Sequence, residues 1–154
     1  MAEVKTARVG FMTPYLLYHV RQEISFIREQ SNAARVLDQQ HSDSPPWLTA
    51  VHAAESKKAT DICVLDLREV TSFADYFVIC TGANARQIQA ISEEVGLQLR
   101  KRGEYPMNVE GFEAAEWVLS DYGSYLIHVF SAKARAYYDL ERLWRHAKTV
   151  QIPE

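Results

Sequence analysis

The chain predicts an α/β domain, a mixed sheet of about five strands with flanking helices, preceded by an N-terminal helical extension. Three observations carry this expectation. The runs Ile62-Cys63-Val64-Leu65 and Tyr76-Phe77-Val78-Ile79-Cys80 are short and continuously apolar, as strands covered on both faces are. Ile88, Ile91, Val95 and Leu99 recur at helical spacing and form a stripe to be buried. Asp121-Tyr122-Gly123-Ser124 separates two runs rich in Val, Leu, Ile and aromatics, which is a hairpin signal, weaker than Asn-Gly or Asp-Gly.

Composition sets the outer bounds. With 154 residues, 47% of them hydrophobic, the chain is long enough for one domain with a core and short for two. No apolar run approaches the roughly 18–20 residues of a membrane helix, and the opening lacks a secretory signal, so a cytoplasmic location is expected. Cys63 and Cys80 each sit alone in a strand-like run, without a partner at metal-ligand spacing, and read as buried reduced thiols. The net charge of −3 argues against general nucleic-acid binding, which rests on a basic patch. Arg100-Lys101-Arg102 falls where a helix should end and reads most simply as cations at the negative end of its dipole.

Along the chain, Leu16, Val20, Ile24 and Ile27 recur at spacings of three and four, predicting an amphipathic helix over residues 14–37. A mitochondrial transit peptide is the alternative there, but Glu3, Glu23, Glu29 and Asp38 spoil the acid-poor composition such peptides show. Residues 38–46 have no apolar side chain to bury and end in Pro45-Pro46, so they read as a linker between an extension, 1–46, and a domain, 47–154. Trp47, Val51 and Ala54 mark the first helix of that domain. After the two strands, Thr81-Gly82-Ala83 turns the chain into a helix with Asn84 as N-cap and Gln87 three residues later. Gly103 ends that helix, Met107-Asn108-Val109 is a candidate strand, and the hairpin and a closing helix follow.

If the hairpin loop is Tyr122-Gly123, Leu119 stands opposite Leu126 and Trp117 opposite His128, and those four side chains share one face. Val118, Ile127 and Val129 share the other. Around this hairpin gather Glu110, Glu113, Glu116, Asp121, Asp139 and Glu141 with Trp117, Tyr122, Tyr137, Tyr138 and Trp144. Such an acidic, aromatic constellation suits a basic protein partner, the alternative being that the aromatics are core and the acids keep the domain soluble.

Catalytic signals are thin. The Gly82 turn lacks both the G-x-G-x-x-G pattern and the P-loop lysine, Asp61 and Asp66 are five apart and should point to opposite strand faces, and His128 has no nucleophile placed beside it by a recognisable motif. A histidine stacked against Trp117 within a sheet is the expectation. No metal or cofactor site is expected.

From about residue 51 to 150 the chain resembles the ribosomal silencing factor family, RsfS or Iojap. The marks are Lys58 to Asp61 leading into Val64-Leu65-Asp66-Leu67, then Asp75-Tyr76-Phe77-Val78-Ile79-Cys80-Thr81-Gly82, Arg86-Gln87 and Gln89-Ala90-Ile91. Val109-Glu110-Gly111, Trp117-Val118-Leu119, Asp121-Tyr122-Gly123, His128-Val129-Phe130 and Tyr138-Asp139-Leu140-Glu141-Arg142-Leu143-Trp144 complete them. The resemblance implies a nucleotidyltransferase-like topology, but the chain lacks the paired metal-binding aspartates such enzymes need, so neither enzymatic activity nor a cofactor is expected. It further implies a factor that binds large-subunit ribosomal protein fourteen on the large ribosomal subunit and sterically blocks the small subunit, repressing translation. Carried over residue by residue, Trp117, Leu119, Asp121 and Tyr122 would meet that partner, with His128 and Asp139 near the rim. A large-subunit assembly role and a nucleotide-processing enzyme using Asp61, Asp66 and the Gly82 turn are the competing expectations, and a homodimer off the ribosome is a further one. Ser120 stands where relatives often carry Leu, and the first 46 residues exceed the family's usual lead-in.

Overall fold

The computed structural model describes residues 44–154, so the extension, with the helix expected over 14–37, lies outside the described residues. The domain opens with α1, Pro46–Ser56, whose proline sits in the first turn, where its missing N–H costs nothing. Trp47, Ala50, Val51 and Ala54 are its buried face. Arg102, from the far end of the next helix, donates to the Ser44 carbonyl at 2.7 Å and to the Thr49 hydroxyl, clamping the start of α1.

Strands β1 (Thr60–Asp66) and β2 (Tyr76–Gly82) pair antiparallel, with a register irregularity between Thr60 and Cys63. Helix α2, Ala85–Lys101, follows, and Ile88, Ile91, Val95 and Leu99 are its buried residues, the predicted stripe. The predicted cap forms with a displacement: Asn84 Oδ1 accepts from the Gln87 N–H at 2.9 Å, while Gln87 Oε1 reaches past Asn84 to the Ala83 N–H at 2.6 Å. The Gln87 amide also donates to the carbonyls of Lys57 and Lys58, joining the end of α1 to the start of α2. Gly103, at φ +76°, carries the chain out of the helix.

Then come β3 (Asn108–Glu110), β4 (Trp117–Asp121), β5 (Tyr125–Ser131), the short helices α3 (Ala132–Tyr138) and α4 (Leu140–Leu143), and β6 (Lys148–Thr149). The sheet has six strands in the order β3-β4-β5-β2-β1-β6, with β2 and β5 parallel and the other pairings antiparallel. The sixth strand is two residues beside β1, too short to leave a periodic signal in the sequence. The closing helix is two, because Asp139 takes the left-handed conformation (φ 45°, ψ 57°) between α3 and α4.

Both faces of the sheet are covered. On one, Val64, Val78, Cys80, Val118, Ile127 and Val129 pack against α1 and α2. On the other, Leu65, Phe77, Ile79, Trp117, Leu119, Leu126 and Phe130 pack beneath Tyr138, Leu140 and Trp144 of the C-terminal layer. A sheet buried on two sides needs unbroken apolar strands, which is why β2 reads as a continuous run instead of an alternation.

Candidate functional site

The hairpin of β4 and β5 joins the two layers. Its register differs from the one expected for a Tyr122-Gly123 loop: Leu119 pairs with His128 and Trp117 with Phe130, and the Tyr122 N–H donates to the Tyr125 carbonyl at 3.0 Å. The two-residue turn is therefore Gly123-Ser124. Its cause is local, since Asp121 Oδ1 accepts from the Gly123 N–H at 2.7 Å and Gly123, at φ +83°, occupies the first central position, where a tight hairpin turn wants glycine. A slip of two residues keeps every side chain on its face. Trp117, Leu119, Leu126 and His128 thus share one face as expected, and Val118, Ile127 and Val129 the other.

That face carries an aromatic stack. Trp117 lies 4.9 Å from Phe130 and 4.6 Å from Tyr138, and its indole N–H donates to His128 Nδ1 at 3.1 Å. The acceptor role of Nδ1 leaves the ring proton on Nε2, which has no hydrogen-bond partner among the described residues. His128 is fully buried, and burial pushes its pKa down to about 3, so the imidazole is neutral near physiological pH. The histidine lies beside Trp117 as expected, but the rings are tilted at 32° with centroids 5.8 Å apart and joined by that hydrogen bond instead of stacked, with Phe77 at 4.6 Å on His128.

The residues singled out as partner-binding are therefore distributed by depth. Trp117 (2% exposed), Leu119, Asp121, Tyr122 (1%) and His128 are all buried, and only Asp139 is half-buried at the surface. Tyr122 lies on the other face from Trp117, stacked on Tyr125 at 5.0 Å, and burial pushes its phenol up to about 12. Tyr125 is raised as well, by burial and by Glu104, whose carboxylate accepts its hydroxyl hydrogen bond at 3.2 Å. Trp117, Leu119 and His128 are brought together; Tyr122 is not with them, because strand alternation sends it the other way. Ser120 is buried opposite Ile127. The side chains that line the surface beside the hairpin are Tyr105, Met107 and Val109 on and before the outer strand β3, all exposed.

Two groups went unmarked in the sequence. Arg135 donates to the Asp61 carbonyl at 2.6 Å and to the Thr81 hydroxyl at 2.8 Å, and through Nε and a terminal nitrogen to Glu141 Oε1 at 2.9 and 2.6 Å. It ties β1, β2 and the C-terminal layer together through partners 74 and 54 positions away, which no local pattern can reveal. Arg68 holds both oxygens of the Asp66 carboxylate and keeps its pKa below the usual range. Asp61 instead lines a hollow of roughly 370 Å³ with Thr81, Arg135, Asp139 and Glu141. The two aspartates thus have separate surroundings. Among the described residues, no three His, Cys, Asp or Glu side chains gather at metal-binding distance, and no helix is long and apolar enough to cross a membrane. Cys63 and Cys80 are both free thiols, and burial raises the pKa of each, of Cys80 to about 12.

Comparison with known proteins supplies a family for this architecture. The family model described as ribosomal silencing factor during starvation matches residues 40–154. The chain is 41% identical over 103 residues to the ribosomal silencing factor RsfS of Halalkalibacterium halodurans, covering 67% of this chain and 88% of the relative. It is 43% identical to that of Bacillus subtilis, covering 67% and 87%. The mouse protein called mitochondrial assembly of ribosomal large subunit protein 1 is 32% identical over 97 residues, 61% of this chain and 42% of that one. Among solved structures, a protein of Bacillus halodurans superposes with a TM-score of 0.61 at 38% identity, over 68% of this chain and 95% of its own. One from Chromobacterium violaceum gives 0.64 at 35%, over 71% and 88%. The matched span contains both packed faces of the sheet, the hairpin and the C-terminal layer, and this chain belongs to the ribosomal silencing factor family, RsfS.

Proposed function

We propose that the protein binds the large ribosomal subunit through large-subunit ribosomal protein fourteen and, by occupying that place, keeps the small subunit from docking, repressing translation in the cytoplasm. Membership of the silencing-factor family carries the reading, and the mouse relative's name adds the large subunit as the place of action. The mechanism is occupancy, with no catalytic step assigned. The hairpin is its frame: Trp117, Leu119 and His128 below, Tyr122 on the other face and Asp121 in the turn hold the shape, since their burial leaves them little surface to touch a partner with. Contact then falls to what the frame presents, Tyr105, Met107 and Val109 at the sheet edge, with Asp139 at the rim of the C-terminal layer. Apolar and aromatic side chains at such an edge supply desolvated contact area, and the carboxylate suits a basic protein surface.

The test is sedimentation of the purified chain with isolated large and small subunits, beside a Met107→Glu, Val109→Glu variant verified as folded. Binding to the large subunit alone, loss of binding in the variant, and fewer joined ribosomes when the chain is added first are expected. No binding, or unimpaired joining, would overturn the reading. The mouse relative's name favours a second role in large-subunit assembly, which depletion followed by subunit profiling would register as missing large subunits. A homodimer off the ribosome is compatible with this reading and would show as a doubled mass of the free chain.

A further inference from the structure

The basic run conspicuous in the sequence, Arg100-Lys101-Arg102, does not make a patch, because Arg102 turns onto the Ser44 carbonyl and the Thr49 hydroxyl. Positive charge collects elsewhere. Residues 132–149 hold five Lys and Arg against two carboxylates, in a chain whose net charge is −3. Arg135 is engaged by Glu141 and Lys148 by Glu69. Lys133, Arg142 and Arg145 have no acidic partner within ion-pair distance among the described residues.

Arg142 and Arg145 line one open hollow of roughly 420 Å³ together with Tyr137 and Leu143. Tyr137 is 79% exposed, its ring standing at 86° to that of Tyr138 with centroids 5.0 Å apart, so most of it stays in water. Asp139 is the one carboxylate lining the same hollow. An exposed tyrosine alone means little. An exposed aromatic ring beside two guanidiniums that make no ion pair among the described residues is the combination that takes an unstacked base and the phosphates on either side of it.

We propose that this hollow on α3 and α4 binds an unpaired stretch of RNA, with a base on Tyr137 and phosphates on Arg142 and Arg145. Overall negative charge is no obstacle, since phosphate contacts are local and screened beyond about 10 Å. The site can be assayed on RNA alone, so it stands or falls separately from the proposed contact with the ribosomal protein.

The experiment is fluorescence anisotropy of a labelled single-stranded RNA of about 12 nucleotides with the full chain at several salt concentrations. Arg142→Glu with Arg145→Glu is expected to weaken binding at least about tenfold and to flatten the salt dependence by roughly 0.7 per lost phosphate contact. Tyr137→Ala is expected to weaken it roughly tenfold with the salt slope unchanged, because stacking releases no counterions. Arg100→Glu with Lys101→Glu should leave the affinity as it was. Absence of binding, equal losses from both charge-reversal pairs, or indifference to Tyr137→Ala would each overturn the proposal. So would an Arg142→Glu, Arg145→Glu chain that binds RNA normally yet no longer sediments with large subunits, since the hollow would then be a protein contact.

Discussion

His128 is where a single side chain sets a solution property. Its folded pKa of about 3 lies far below the ordinary value of 6.5. As pH falls below about 6.5 the unfolded chain takes up a proton on this imidazole while the folded chain does not, until pH nears about 3. Stability present at neutral pH is therefore lost across that window, by at most about 1.4 kcal/mol per pH unit. We expect His128→Leu to remove about 2 kcal/mol of the stability difference between pH 7 and pH 5, read by urea unfolding at both values. At pH 7 the variant should be less stable by roughly 1–3 kcal/mol, because the Trp117 N–H loses its acceptor. Parallel pH profiles for the two proteins would show that the imidazole is not kept neutral by burial. That His128 shares a face with Trp117 was legible from strand alternation, but its complete burial was not, since Phe77 packs on it from another strand.

At the scale of the element, the α3–α4 junction makes the clearest demand. Asp139 takes φ 45° without a side-chain capping bond, a conformation Asp and Gly tolerate and β-branched residues resist. Asp139→Val should lower stability by about 1–2 kcal/mol, whereas Asp139→Gly should stay within about 0.5 kcal/mol of the original, both measured by denaturant midpoint. Equal losses would assign the effect to the carboxylate instead of the backbone. The sequence showed a helix here but not its break, because nothing local marks a left-handed aspartate. It was better at the hairpin, where turn residues and alternation gave the faces correctly while the pairing slid by two. The faces depend on period 2 alone, and the register depends on which peptide the Asp121 carboxylate captures.

Across the whole molecule, the C-terminal layer is tied to the sheet by Arg135. Its side chain is 17% exposed and bridges β1, β2 and Glu141. Arg135→Ala should cost roughly 2–4 kcal/mol, since several charged hydrogen bonds go and Glu141 loses its partner. Arg135→Lys should recover little of that, as an ammonium cannot make the forked contacts. A melting temperature unchanged by either substitution would show that the bridge is incidental.

By itself the sequence determined the α/β class, strands β1 to β5, helices α1 and α2, the faces of the hairpin and the family resemblance. All but the last rest on local periodicity and turn chemistry, which are properties of neighbouring residues, and the resemblance rests on matched motifs. Only the tertiary structure decided that Trp117, Leu119, Asp121, Tyr122 and His128 lie inside while Tyr137, Arg142 and Arg145 share a hollow at the surface. An apolar or aromatic residue carries no local mark of which layer will cover it, and a cation carries none of whether a carboxylate from a distant strand will reach it. Burial and pairing are settled by contacts between residues far apart in the chain.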